Sequence, residues 1–147
     1  RALRTKDFLY IRNFRPERWP AGDPCAIDKN GKTGAMHSAY HDIDQCPAWD
    51  FIVANRDDRE IYPYFLKAAG KRPYEELYNV SSDPGCLHNL IGNGKYTEKL
   101  NNLRKEMDKL LKKTKDTRYL DDPTQDDIWE TYPRLSGAMR TFPEPLF

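Results

Sequence analysis

Leu100, Leu103, Met107, Leu110 and Leu111 recur at helical spacing through residues 97–113, with lysines, arginine and acids on the other face. A stripe of that kind has to lie against an apolar surface, so it needs a sheet or a second helix to cover it. The pattern predicts an amphipathic helix. Lys109, Lys112 and Lys113 crowd its end, where cations suit the negative pole of the helix dipole. They read as a solvated face rather than a binding patch.

Two segments can supply the sheet. Residues 6–14 place Phe8, Tyr10 and Arg12 on one face, with Leu9 and Ile11 on the other. Residues 73–80 alternate in the same way, Tyr74, Glu76, Tyr78 and Val80 against Glu75, Leu77 and Asn79. Both read as strands. Between them, residues 15–47 carry Pro, Gly, Asp and Lys in clusters and read as one long loop. Pro47 begins a helix through Trp49, Phe51 and Ile52, and a second helix is expected over residues 59–69, stopped by Gly70. Asp83 before Pro84 reads as a further helix start, because the carboxylate can accept from free amides and proline needs no donor there. A short turn through Leu87, Asn89 and Leu90 then ends at Gly92.

The expected fold class is therefore α+β, a small antiparallel sheet packed against a long C-terminal amphipathic helix, with long loops. One unit is expected over residues 1–120. Residues 121–147 are polar and punctuated by proline, with a short apolar stretch at Ile128, Trp129 and Tyr132. They read as an extended tail docking on a neighbouring surface.

Composition narrows the function. The 147 residues include 24 basic and 23 acidic side chains, interspersed along the chain rather than gathered into a stripe. Neither nucleic acid nor an anionic membrane is expected as a partner. No apolar run approaches the roughly 20 residues that cross a bilayer. Cys25, Cys46 and Cys86 allow at most one internal disulfide and form no C-x-x-C pair, which excludes a disulfide scaffold.

Reactive side chains are densest between Met36 and Pro47, where His37 and His41 lie four apart with Asp42 next to them. With Cys25 and Cys46 these histidines sketch a zinc site, but the isolated cysteines argue against it. The paired acids at Asp57-Asp58, Asp121-Asp122 and Asp126-Asp127 follow no apolar strand and read as helix starts or solvated loop. Arg12, Arg15 and Arg18 follow closely on one another, and a guanidinium matches sulfate or carboxylate with two parallel donors; ion pairing is the plainer reading. Trp19 and Trp49 can stack on sugars or fill a core. His88 reads as structural.

Three segments, in order, resemble one family. Residues 1–14, Arg-Ala-Leu-Arg-Thr-Lys-Asp-Phe-Leu-Tyr-Ile-Arg-Asn-Phe, and 19–24, Trp-Pro-Ala-Gly-Asp-Pro, look like the opening of the C-terminal subdomain of sulfatases similar to heparan N-sulfatase, or sulfamidase. Residues 71–84, Lys-Arg-Pro-Tyr-Glu-Glu-Leu-Tyr-Asn-Val-Ser-Ser-Asp-Pro, followed by Asn89-Leu90, resemble the family's Glu-Leu-Tyr-Asp strand, its Asp-Pro turn and its Asn-Leu pair. The helix ending in Lys113-Thr-Lys-Asp116 resembles the family's helix with its T-x-D exit. The likeness covers residues 1–120, and more loosely 128–132.

The resemblance implies a sulfatase, hydrolysing a sulfate ester or N-sulfate on a sulfated glycan, whose N-terminal catalytic domain is this chain's partner. It also implies a formylglycine made from Cys or Ser in C/S-x-P-x-R, and a calcium ion beside it. Here the three cysteines stand in Cys25-Ala-Ile, Cys46-Pro-Ala and Cys86-Leu-His, and none fits. No catalytic residue, metal or cofactor is therefore expected in this chain; calcium and formylglycine belong to the parent's catalytic domain. On the same resemblance His37, His41, Asp42 and Arg18 are candidates for the substrate entrance, with a loop merely tied down by His41 and Asp42 as the competing reading. The likeness points to a periplasmic, secreted or lysosomal setting. A stand-alone carbohydrate-binding module and a structural interaction protein are the alternatives.

Overall fold

The computed structural model describes residues 1–22, 24–40 and 42–119, and has the α+β architecture expected. The chain divides into two compact units, residues 1–100 and 101–147. The tail expected over 121–147 lies outside the described residues.

The sheet of the first unit has three antiparallel strands in the order β1 (Ala2–Arg4), β2 (Phe8–Arg12) and β5 (Glu75–Asn79). β1 is an addition to the expected pair. Three residues are too few to show an alternating pattern, and its place comes from the tight turn in which Thr5 and Phe8 bond each other. Register follows the alternation read from the sequence. Tyr10 lies between Leu3 and Leu77, and Arg12 lies opposite Glu75. Tyr10 and Leu77 are fully buried, and a one-residue slip would turn both outward.

The stretch expected as loop folds back into a second sheet, β3 (Cys25–Ile27) paired with β4 (Thr33–Met36). The Asp28 carboxylate accepts from the amides of Asn30 and Lys32, and Gly31 takes the left-handed backbone that the turn needs. α1 (Pro47–Ala54) begins where proline indicates. α2 (Tyr62–Ala69) starts later than residue 59, because the Asp58 carboxylate draws the amides of Glu60 and Ile61 into a turn. At Gly70 a Cβ would sit 2.7 Å from the Leu66 carbonyl oxygen, so only glycine fits there. Ala21, Tyr40, Trp49, Phe65 and Ala69 form the core of this half, with Ile43, Ile52 and Val53 against it.

The helix expected after Asp83-Pro84 is instead a turn. The carboxylate does accept from two amides, but from Leu87 at 3.1 Å and His88 at 2.8 Å, and Cys86 at φ +51° reverses the chain before a helix can propagate. α3 (Thr97–Lys113) matches the expected span. Just before it Tyr96 meets Phe8 edge-on at 5.9 Å, and Lys99 from its first turn lies over the same ring. Leu100, Leu103, Met107 and Leu111 are buried, whereas Leu110 stands at the edge of the stripe and is exposed.

Candidate functional site

The expected entrance residues lie on the long connection between β2 and α1, and the structure gives them different surroundings. Arg18 is exposed on a turn closed by its amide to the Arg15 carbonyl. Asp42 is also exposed, its amide bonded to the Ala21 carbonyl at 3.3 Å. His41 lies outside the described residues. His37 is half-buried and turns inward. Its ring stacks on Tyr40 at 5.9 Å and meets Trp19 and Phe65 edge-on at 6.5 and 5.4 Å.

A left-handed backbone at His37 (φ +64°) swings that imidazole into the cluster, where Nδ1 shares a hydrogen bond with the Tyr40 hydroxyl. Desolvation, aided by nearby Arg56, lowers the His37 pKa, and burial raises that of Tyr40. A neutral imidazole bonded to a protonated phenol stiffens the loop without charge. Tyr40 in turn packs edge-on against Trp49 at 5.0 Å, tying the loop to both helices through the aromatic core. Trp19 remains half-buried with the Lys71 ammonium 5.1 Å from its ring.

Arg12 does not share a patch with Arg15 and Arg18. Strand alternation buries it at 8% exposure, with Nε donating to the Tyr10 hydroxyl at 3.2 Å, and Tyr10 donates in turn to Glu75. Burial first, then the bond to Glu75, pushes the Tyr10 pKa up to about 12. Arg15 pairs with Glu17 at 3.9 Å.

On the opposite face, Glu76 is 5% exposed and its carboxylate accepts from the Tyr78 hydroxyl at 2.5 Å and from Asn13 Nδ2 at 2.8 Å. Lys67 of α2 reaches over the Tyr78 ring and donates to its hydroxyl and to the Cys86 carbonyl, both at 3.2 Å. Sequence reading missed this network, since each member is an ordinary strand or helix residue until the sheet brings them together.

A cleft of about 720 Å³ opens beside it, between the start of α2 and the turn after Asp83. Arg59, Glu60, Lys67 and His88 supply its charged and polar walls, and Ile61, Pro63, Tyr64 and Leu87 its apolar ones. Tyr64 is a ring left facing outward when Phe65 and Ala69 turn to the core, a signal that the helical spacing of α2 already contained. Among the described residues no three His, Cys, Asp or Glu side chains gather as a cation's ligand set. Nor is any described helix long and apolar enough to cross a membrane.

Comparison with known proteins relates the chain to sulfatases. It is 34% identical over 111 residues to an ulvan-active sulfatase of Formosa agariphila. The match covers 76% of this chain and 16% of that protein, so the chain spans about a sixth of the length of the relative it matches. No protein-family model matches the sequence, and no solved structure matches it.

Proposed function

We propose that this chain is the C-terminal subdomain of a sulfatase similar to heparan N-sulfatase, completing the fold of an N-terminal catalytic domain and shaping its substrate entrance. The reaction of the whole protein would be hydrolysis of a sulfate ester or N-sulfate on a sulfated glycan, with formylglycine and calcium supplied by the catalytic domain. The observation that carries the reading is the 111-residue likeness to a sulfatase more than six times as long as the matched stretch. The cysteine contexts agree with it, because none stands in C-x-P-x-R and the nucleophile would then come from other polypeptide.

In this proposal the connection between β2 and α1 lies at the entrance. Exposed Arg18 and Asp42 face the sugar, His41 stands next to Asp42, and His37 with Tyr40 holds the loop in shape. Arginine supplies a two-pronged donor to a sulfate group, and the carboxylate accepts from sugar hydroxyls.

The test compares sulfate release by the 147-residue chain with release by the whole open reading frame that encodes it, with and without calcium. Release is expected from the long product alone, whose upstream sequence carries C-x-P-x-R or S-x-P-x-R. Sulfate release by the short chain, or an open reading frame lacking that motif, overturns the proposal. A reading frame without the motif whose product still binds sulfated oligosaccharides would make the chain a carbohydrate-binding module.

A further inference from the structure

We propose that the cleft between the start of α2 and the turn after Asp83 is a binding site for a sulfated saccharide, with one sugar ring packed on Tyr64 and its sulfate held by Arg59 and Lys67. The choice of a sulfated sugar among anions rests on the proposed function. The cationic and aromatic character of the walls does not.

Three observations support the site. The first is size and form. At about 720 Å³ the cleft falls within the range of roughly 300–1,000 Å³ usual for small-ligand sites, and its walls come from two well-anchored segments. The Asp83 carboxylate ties down Leu87 and His88 through their amides, and the Asp58 carboxylate does the same for Glu60 and Ile61. Little ordering is left for a ligand to impose.

The second is charge. Of the charged side chains lining the cleft, Arg59 and Lys67 are cations and Glu60 is the acid. Neither cation makes an ion pair among the described residues. Two N–H groups of Lys67 go to neutral oxygens, those of Tyr78 and Cys86, so its charge is oriented without being neutralised. A lysine held this way, with an arginine lining the same cleft, fits a sulfate, which offers several acceptor oxygens in a small volume.

The third is the aromatic surface. Tyr64 is 55% exposed, and Leu87 and Pro63 continue the apolar wall. A ring left open beside two cations offers a flat face to the C–H side of a pyranose and a hydroxyl to its polar rim. A purely apolar partner would leave both cations desolvated and unpaired, and a free anion would make no use of Tyr64.

The test is titration of the isotope-labelled 147-residue chain, followed by amide chemical shifts, with a sulfated galactan tetrasaccharide, its desulfated form and inorganic sulfate. Shifts are expected within residues 59–67 and 87–89, and affinity should fall about tenfold on desulfation, as for loss of a charge-assisted contact. Arg59→Gln and Tyr64→Ala replace exposed side chains that make no hydrogen bond among the described residues, and each should weaken binding several-fold with the fold retained. Lys67→Met is the less clean variant because it also removes the bonds to Tyr78 and Cys86.

Equal affinity for the desulfated sugar, shifts centred elsewhere, or no binding would overturn the site. Inorganic sulfate binding as tightly as the tetrasaccharide would reduce it to an anion site and remove the sugar. Titration of the full-length product is the last arm. If Arg59→Gln changes nothing there, the cleft is covered by the remainder of the polypeptide and the proposal fails. Saccharide binding by a chain whose reading frame lacks the sulfatase motif sinks the proposed function and leaves the site. A sulfatase motif without binding at the cleft does the reverse.

Discussion

Tyr78→Phe removes one oxygen from the polar network under β5, and its cost can be worked out from the partners it leaves. The hydroxyl is the donor to Glu76 Oε2 at 2.5 Å and an acceptor for Lys67 at 3.2 Å. At 5% exposure Glu76 has little access to replacement water, and Asn13 remains as its other side-chain donor. A hydrogen bond to a charged group contributes about 1.5–3 kcal/mol, and a buried charge short of a donor bears its own desolvation cost. The substitution creates no cavity larger than the lost oxygen, so the polar term dominates. The expected loss is about 2–3 kcal/mol, a large share of a marginal stability of about 5–15 kcal/mol. Urea denaturation should show a lower midpoint with unchanged slope.

A double-mutant cycle with Glu76→Met separates the pair from its surroundings. Each single variant strands a buried partner while the double variant strands fewer, so the double should cost less than the sum by about 1–2 kcal/mol. There is also a pH signature. Burial, then the bond to Glu76, raises the Tyr78 pKa above the usual phenol range. A raised folded pKa means that the contribution is complete below the unfolded value of about 10 and is lost as pH climbs through the folded one. Tyr78→Phe should therefore flatten part of the alkaline decline, although Tyr10, pushed up to about 12, retains its own share. A cost under about 0.5 kcal/mol with additive energies would refute the network's role, because that is the behaviour of a solvated surface pair.

Leu103 is 3% exposed on the buried stripe of α3, so Leu103→Asp places an unpaired charge where no water follows and should cost more than about 3 kcal/mol. Circular dichroism melting checks it, and a soluble variant with an unshifted cooperative transition would contradict burial of that face. At Asp83, the amide bonds from His88 and then Leu87 hold the carboxyl below its ordinary pKa. A lowered folded pKa stabilises above the unfolded value and loses that contribution as pH falls through the folded one, from roughly pH 4 downward. Asp83→Asn should be less stable than wild type at neutral pH, with the gap narrowing in acid. Urea midpoints at pH 7 and pH 3 read this directly, and a constant gap would mean that the carboxylate's charge is irrelevant to the turn.

Features set by neighbours along the chain are legible in the sequence. Spacing of five apolar residues marks α3 to its last turn, although Leu110 among them is exposed, and alternation separates Tyr10 from Leu9 and Ile11 in one strand and Leu77 from Glu76 and Tyr78 in the other; the register that puts Tyr10 opposite Leu77 came with the fold. Proline and glycine positioned α1 and the end of α2. The same local logic failed at Asp83, where the expected capping carboxylate exists but Cys86 turns left-handed, and at β3 and β4, which are too short to show a period. Arg12 stands near Arg15 and Arg18 in sequence, yet its strand face buries it beside Tyr10.

The candidate site divides in the same way. His37, Asp42 and Arg18 stand out as residue types, but nothing local says that His37 enters an aromatic cluster while Arg18 and Asp42 remain exposed. Lys67 meets Tyr78 and Cys86, 11 and 19 residues away, and Arg59 shares a cleft with His88. Sequence alone determined β2, β5, α1, α3 and the end of α2, the alternation within each long strand and the likeness to sulfatases, because those depend on short-range periodicity and ordered motifs. Which charges are buried, which aromatics close a core and which remain open beside a cleft were decided by tertiary contact, since burial and pairing belong to residues that only folding makes neighbours.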